Sequence, residues 1–269
     1  MSGFSADWLA LREPHDLRAR NPAVLEAVVA LLKDVRQIRI ADLACGTGST
    51  LRALSPRLDA QQNWRLVDND LSLLARASDA VRPAGVTVTA VPIDLNRDLE
   101  SALDGPIDLV TTSALLDLVS EPWLERLTIE IAARKIPFYA ALNYDGRVDL
   151  GPRDSLDGKI IDAVNTHQHT DKGFGPALGP LAASNAIARF ENVGYAVTRG
   201  KSDWVAGPQD REFQMEILSG WASAAREHGH MPLADTVEWL TRRRDAVAAG
   251  RSSLRVGHVD FFAAPTATR

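Results

Sequence analysis

Residues 38–51, with the sequence IRIADLACGTGSTL, indicate a buried strand that runs directly into a glycine turn and the start of a helix. The apolar residues of 38–43 predict the strand. Gly46 and Gly48 predict a tight turn, in which the backbone can approach a ligand closely. Small and hydroxyl residues at 47–50 then open a helix, and its free N–H groups face that ligand. The stretch therefore predicts a nucleotide-binding corner.

Size, charge and cysteine content exclude several classes of protein. The chain has 269 residues, a net charge of −5 and one cysteine, Cys45, so no disulfide can form within it. The negative charge disfavours a nucleic-acid surface, which needs concentrated Lys and Arg. No apolar run reaches the roughly 18–20 residues that span a bilayer, and the acidic N-terminal stretch is unlike a signal peptide. We expect a cytoplasmic protein with a small-molecule partner, no nucleic acid and no membrane.

The glycine turn resembles a specific family motif. The run from Asp42 to Gly48, DLACGTG, is similar to the first motif of the class I S-adenosylmethionine (SAM)-dependent methyltransferases, in which an acidic residue precedes small-x-Gly-x-Gly. The resemblance implies that SAM is the cofactor. The residues that it assigns to SAM from this motif are Asp42, Ala44, Cys45, Gly46 and Gly48. Packing in the turn requires a small residue, so Cys45 is interpreted as a packing residue.

Two further acidic residues each follow a predicted strand. Asp68 follows the strand at 64–67, and an acid at this point can accept hydrogen bonds from both ribose hydroxyls. The run at 68–77 resembles the second family motif, and the resemblance assigns Asn69 to the cofactor. Asp70 is the predicted helix N-cap, and the alternative is that it lines the ribose edge. By the same resemblance, Asp94 after the strand at 86–93 binds the adenine amine, and Leu95 supplies a neighbouring amide.

The fourth predicted strand, residues 107–112, leads into the part of the chain that resembles the fourth family motif. The resemblance places Ser113 beneath the SAM sulfonium, facing the methyl acceptor. Asp117 lies in an otherwise apolar run, and burial of a lone carboxylate is costly. This cost favours Asp117 as a site residue over an unusual polar residue of the core. Upstream, Arg20 either binds the methionine carboxylate of SAM, as an arginine does in many relatives, or faces solvent.

Residues 146–180 break the periodic pattern and resemble a lid or binding loop. His167, His169 and Asp171 in this insertion could suggest a metal site, but no further ligands stand out and we predict no metal. The alternatives for the histidines are contact with the substrate and a solvated loop. Tyr144, just before the insertion, follows the fifth predicted strand at 136–142.

The predicted fold is α/β, a doubly wound, mostly parallel sheet. The family resemblance adds seven strands in the order 3-2-1-4-5-7-6, with the last strand antiparallel. We expect one domain over residues 1–269. Residues 1–35 would form an N-terminal helical lid, and residues 146–180 a cap within the domain.

The predicted function is transfer of a methyl group from SAM to an oxygen or nitrogen of a small molecule by in-line displacement. The candidates for a general base are Asp117, His167, His169 and Tyr144. An NAD(P)-binding Rossmann oxidoreductase is the main alternative, but its fingerprint needs a third glycine where this chain has Ser49 or Leu51. A protein that binds SAM without catalysis is the other alternative.

Overall fold

The computed structural model describes residues 4–80, 82–227 and 231–266. Within them, helices alternate with strands in the first half of the chain, and four helices lie among the strands of the second half. The helices are α1 (Ala6–Ala19), α2 (Pro22–Leu32), α3 (Ser49–Leu54), α4 (Leu71–Asp79), α5 (Leu99–Ala102), α6 (Glu121–Ala133), α7 (Asp157–Gln168), α8 (Ala182–Asn192), α9 (Arg211–Arg226) and α10 (Leu233–Ala248). None of the helices among the described residues has the length and hydropathy to cross a bilayer.

One sheet organises the molecule. Its strands are β1 (Gln37–Leu43), β2 (Gln61–Asp68), β3 (Val86–Pro92), β4 (Leu109–Ser113), β5 (Phe138–Gly151), β6 (Tyr195–Lys201), β7 (Trp204–Ala206) and β8 (Ser253–Pro265). The order is β3-β2-β1-β4-β5-β8-β6, and β7 pairs with β8 outside this path. Strands β1 to β5 are parallel, whereas β8 is antiparallel to its neighbours. The predicted fold class and strand order are confirmed, with β8 in the place of the predicted seventh strand.

The predicted count of seven strands was wrong, because the sixth predicted strand is interrupted. Lys201 pairs with Val259 and Trp204 pairs with Val256, so the antiparallel register is the same on both sides of the interruption. Between them, an Asp203 carboxylate oxygen accepts the His258 amide at 3.2 Å. Because the side chain replaces a backbone carbonyl at this point, the ladder divides into β6 and β7.

The fifth strand continues well beyond its predicted end at Leu142. It carries register shifts after Ala140 and after Tyr144, and then pairs with β8 as far as Gly151. Residues 146–151 of the predicted insertion therefore belong to the sheet. The extended β5–β8 ribbon supports a helical layer of α7, α9 and α10, which we call the cap. The division into one domain with lid and cap segments stays a prediction.

The N-terminal helices lie against both the sheet and the cap. Ser5 caps α1 by accepting the Trp8 amide at 3.1 Å. Trp8 then stacks on Phe213 of α9, with ring centroids 5.9 Å apart. A Cβ on Gly46 would lie 3.3 Å from a methyl carbon of Leu9, so α1 also covers the glycine turn. Residues 1–3 of the predicted N-terminal lid lie outside the described residues.

Candidate functional site

The carboxyl ends of β1, β2 and β4 meet at one edge of the sheet, where the glycine turn follows β1. Asp68, the last residue of β2, ties the turn to the next loop: one carboxylate oxygen accepts the Gly46 amide at 2.9 Å and the other accepts the Asp70 amide at 3.0 Å. Asp70 in turn caps α4 by accepting two backbone amides, while Asn69 is exposed beside it. The Asp68 carboxylate is therefore held in a fixed position at this edge of the sheet, which we call the crevice.

At this edge, three neighbouring strands each carry or precede a residue other than glycine whose backbone is in the left-handed conformation. Ala44 follows β1 with φ 51°, Ala114 follows β4 with φ 51°, and Leu142 lies in β5 with φ 55°. Such conformations cost about 1–3 kcal/mol each and concentrate at functional sites. Here Leu142 is held by Asp260, whose carboxylate accepts its amide at 2.7 Å. The strain marks the same crevice as the sequence motifs do.

Asp42 lies beneath the glycine turn and is fully buried. Thr111 of β4 donates a hydrogen bond to one carboxylate oxygen at 2.7 Å, and the other oxygen has no partner among the described residues. Burial raises the pKa of Asp42 to about 7, against the opposing effect of the Thr111 hydrogen bond. The free oxygen of Asp42 is thus available to a positively charged or hydrogen-bonding group of a ligand.

Arg20 is buried beside Asp42 rather than exposed to solvent. Its guanidinium donates to the Tyr139 hydroxyl at 3.2 Å, to Thr50 at the start of α3 at 3.3 Å and to Ser113 at 3.4 Å. Its Nε has no partner among the described residues. A buried guanidinium with a spare donor is suited to a carboxylate. The structure brings Arg20 and Ser113 together, as the prediction of a shared site requires.

Cys45 of the glycine motif belongs to a buried hydrophobic cluster. Cys45 is buried, and its burial raises the pKa of the thiol far above the ordinary value. A thiol in this state is a poor nucleophile. The interpretation of Cys45 as a small packing residue therefore fits its surroundings.

Asp94 and Leu95 form the loop after β3, at the far side of the crevice. One Asp94 oxygen accepts the Asn96 amide at 3.0 Å, and the carboxylate is partly exposed. The Leu95 carbonyl accepts the indole N–H of Trp123 at 2.7 Å. Its amide donates to none of the described residues, so this N–H remains available to a ligand.

Asp117 lies in the short 3₁₀ turn after β4 and is 7% exposed. One of its carboxylate oxygens is buried without a partner among the described residues. Burial raises the pKa of Asp117 to about 6, and the positive charges of Arg12 and Lys172 partly oppose this effect. Neither cation forms an ion pair with Asp117. This carboxylate can therefore accept a proton near neutral pH.

Arg12 and Lys172 were not identified from the sequence. Arg12 lies on α1 and donates from Nε to Asp16 at 2.9 Å, while its guanidinium lies over the Trp204 ring. Lys172 lies in the insertion and donates to Thr170 at 2.7 Å. Nothing in the spacing of these residues indicates a common site, because long-range packing alone brings them near Asp117.

The other candidate bases occupy two different places. The Tyr144 hydroxyl donates to Asn165 at 2.7 Å, and burial followed by the charges of Asp145 and Asp117 raises its pKa. His167 lies 3.3 Å from the Lys172 amine and so belongs to the same neighbourhood. The ring of His169 instead lies 3.2 Å from the Ala177 carbonyl.

The described residues contain no group of three or more His, Cys, Asp or Glu side chains placed to hold a metal ion. Two surface cavities lie outside the crevice. One, of about 530 Å³, borders β7 and the end of β5; the other, of about 510 Å³, lies between α8 and β6. Neither is lined by the residues of the sequence motifs.

Residues 40–134 match the family model described as a methyltransferase domain. No curated protein sequence matches the chain. Among solved structures, the cyclopropane synthase MmaA2 from Mycobacterium tuberculosis is similar, with a TM-score of 0.51 and 11% identity over 97% of this chain and 94% of that chain. A cyclopropane-fatty-acyl-phospholipid synthase-like protein from Lactobacillus casei has a TM-score of 0.55 and 13% identity over the same two shares. At these identities the two likenesses establish the fold.

Proposed function

We propose that this chain, whose residues 40–134 match a methyltransferase domain, is a class I SAM-dependent methyltransferase that transfers the methyl group to an oxygen or nitrogen of a small molecule. The observation that carries the proposal is Asp117, a buried carboxylate in the turn after β4 with a free oxygen and a pKa of about 6. A nucleotide-binding protein without catalysis has no need of such a group at the acceptor side of its crevice.

The residues of the crevice fit SAM. Asp68 would hold the ribose hydroxyls, and Asp94 with the Leu95 amide would hold the adenine edge. Arg20 has an unused buried donor for the carboxylate, and Asp42 has an unused buried oxygen near the same end. When bound, SAM supplies an activated methyl group and its own leaving group. The charged and polar groups of the crevice thus have a complementary partner in each part of SAM.

Asp117 would act on the acceptor. As a general base it takes a proton from a hydroxyl or an ammonium group, which contributes about 10²–10⁴-fold to the rate. Tyr144 keeps its proton and donates to Asn165, so in this neighbourhood it is better suited to orient the acceptor than to deprotonate it. His167 and His169 remain candidates for contact with the acceptor. Alignment of the acceptor by these residues can lower the activation barrier by several further kcal/mol.

The test combines cofactor binding with methyl transfer. Calorimetry should show that the chain binds S-adenosylhomocysteine but not NAD. With SAM labelled in its methyl group and a protein-free metabolite extract as the source of acceptors, we expect a labelled small molecule. Asp117→Asn should lower its formation about 100-fold or more, with affinity for S-adenosylhomocysteine changed by less than about twofold.

The controls separate the parts of the proposal. Asp68→Ala should lose both cofactor binding and methyl transfer, and Ile129→Ala, at an exposed position of α6, should keep both. Full activity of Asp117→Asn would remove Asp117 from catalysis. Binding of NAD in place of S-adenosylhomocysteine would overturn the assignment of the cofactor, and absence of a labelled small molecule would overturn the class of acceptor.

A further inference from the structure

We propose that residues 171–178 of the insertion, here called the adenine flap, form one wall of the adenosine site, with the Phe174 ring against the purine. The proposal rests on the proposed function, because it assigns a further contact to the same cofactor. The flap is remote in sequence from every motif that resembles the methyltransferase family. The contacts of the flap place it beside the loop that carries Asp94 and Leu95.

The end of the flap is fixed to the segment that follows β4. The Leu178 amide donates to the Val119 carbonyl at 2.8 Å. One residue earlier, Ala177 forms an antiparallel bridge with Ser120. The flap therefore runs along the same edge of the sheet at which the strands end, and it cannot lie in solvent away from the crevice.

The middle of the flap is bound to the loop after β3. The side-chain amide of Asn96 donates to the Gly173 carbonyl at 2.7 Å. Asn96 is the immediate neighbour of Leu95, whose free amide is available to the adenine edge. The hydrogen bond thus links the flap directly to the adenine-binding loop.

Phe174 follows this anchor and is half-buried. Its ring lies edge-on to the Trp123 indole, with centroids 5.3 Å apart and an interplanar angle of 72°. Trp123 donates to the Leu95 carbonyl at 2.7 Å. Since Phe174, Trp123 and Leu95 are successive contacts, the exposed part of the Phe174 ring lies at the adenine edge of the crevice. A planar aromatic wall is well suited to a purine.

The backbone of the flap holds Phe174 in this position. One carboxylate oxygen of Asp171 accepts the amides of Gly173 at 2.6 Å and Gly175 at 3.0 Å. Both glycines have positive φ, 102° and 86°, which a residue with a side chain rarely adopts. Phe174 is therefore presented from a tight, internally bonded turn.

The turn that presents Phe174 also lies next to a residue that acts on the proposed base, Asp117. Lys172 immediately precedes Gly173, and its charge acts on Asp117. The flap therefore also carries a residue whose charge acts on the proposed base.

Calorimetric titration with two ligands tests the flap. S-Adenosylhomocysteine contains adenosine and an amino acid, whereas 5′-methylthioadenosine contains the adenosine but no amino acid. Phe174→Ala should weaken both ligands by a similar factor, roughly fivefold to tenfold, as expected for loss of an aromatic contact. Phe174→Leu, which keeps an apolar side chain, should lose less. Asn96→Ala, which removes only the anchor, should also weaken both ligands.

Leu181→Ala is the matched control, because Leu181 directly follows the insertion and is exposed. It should bind both ligands as the original chain does. Binding of both ligands to Phe174→Ala within about twofold of the original chain would overturn the proposal, as would a loss confined to S-adenosylhomocysteine. Should Phe174→Ala not fold, Phe174→Leu and Asn96→Ala decide by the same criterion. Failure of the original chain to bind either ligand would instead overturn the proposed function.

Discussion

The cofactor region and the cap are built in different ways. In the cofactor region, which comprises β1 to β4 and their helices, Asp68 bonds to Gly46 across 22 positions of sequence. In the cap, Trp239 of α10 bonds to Asp157 of α7 across 82 positions. The core of the cap combines residues of α7, α9 and α10, including Ile160, Leu218 and Trp239.

This difference separates site residues that are positioned by local sequence from those that are positioned by tertiary structure. A strand, a turn and a helix N-terminus place their own site residues, so a short motif contains most of the information about the cofactor. The proposed acceptor side, around Asp117, is assembled from α1, the turn after β4 and the insertion. Its residues therefore acquire their roles only when the whole chain folds.

The largest effect should come from the core of the cap. Trp239 is fully buried, and Trp239→Ala should lower the free energy of unfolding of the cap by about 3–5 kcal/mol. Hydrogen exchange should then increase in α7, α9 and α10, while affinity for S-adenosylhomocysteine stays near that of the original chain. Val237→Ala, at an exposed position of α10, is the control. Equal loss of protection in β1 and β2 would show that the two regions unfold as one unit.

Arg20 tests the cofactor region at its border with β5, the strand that supports the cap. It bonds to Tyr139 of β5 across 119 positions and to Thr50 in the cofactor region. Arg20→Met should weaken S-adenosylhomocysteine about 100-fold through loss of charge-assisted hydrogen bonds to the carboxylate, and Arg20→Lys should weaken it less.

Methylthioadenosine provides the contrast for Arg20, because it has no carboxylate. Its affinity for Arg20→Met should change little when both proteins are measured by calorimetry. Arg18→Met, in which an exposed arginine two residues earlier in α1 is replaced, is the matched control. Equal weakening of both ligands in Arg20→Met would show that Arg20 supports the fold of the crevice instead of the carboxylate.

The sequence predicted most of the cofactor region because its signals are local. The alternation of apolar residues before Asp42 and Asp68 indicates strands, and the glycines indicate the turn between strand and helix. The strand order came from the family resemblance and is confirmed by the sheet. The individual site assignments stay predictions, although Arg20 and Ser113 do lie together.

The acceptor side could not be predicted to the same extent. No pattern joins Arg12 of α1 with Lys172 of the insertion, since only the packed structure brings both charges to Asp117. The interruption between β6 and β7 depends on one hydrogen bond, which the His258 backbone amide donates to the Asp203 side chain. The length of β5 depends on pairing with β8, which lies more than a hundred residues later.

Asp42 gives the smallest expected effect and tests how closed the cofactor region is without a ligand. The pKa of this buried carboxyl is about 7, above its ordinary value of 3.8, so the folded chain holds the proton more tightly between those pH values. Stability contributed by the protonated form is therefore lost as the pH rises through this window. Between pH 5 and pH 7 the loss should be about 2 kcal/mol, since each pKa unit corresponds to about 1.4 kcal/mol.

Asp42→Asn removes the titration but keeps an oxygen that can accept the Thr111 hydrogen bond. Chemical denaturation of the unliganded chain at both pH values measures the effect as a difference between the two proteins, which cancels the titration of all other groups. The variant should lose about 2 kcal/mol less than the original chain over this range. The same pH dependence in both proteins would show that Asp42 is already solvated in the absence of ligand. The cofactor region would then be open when SAM is not bound.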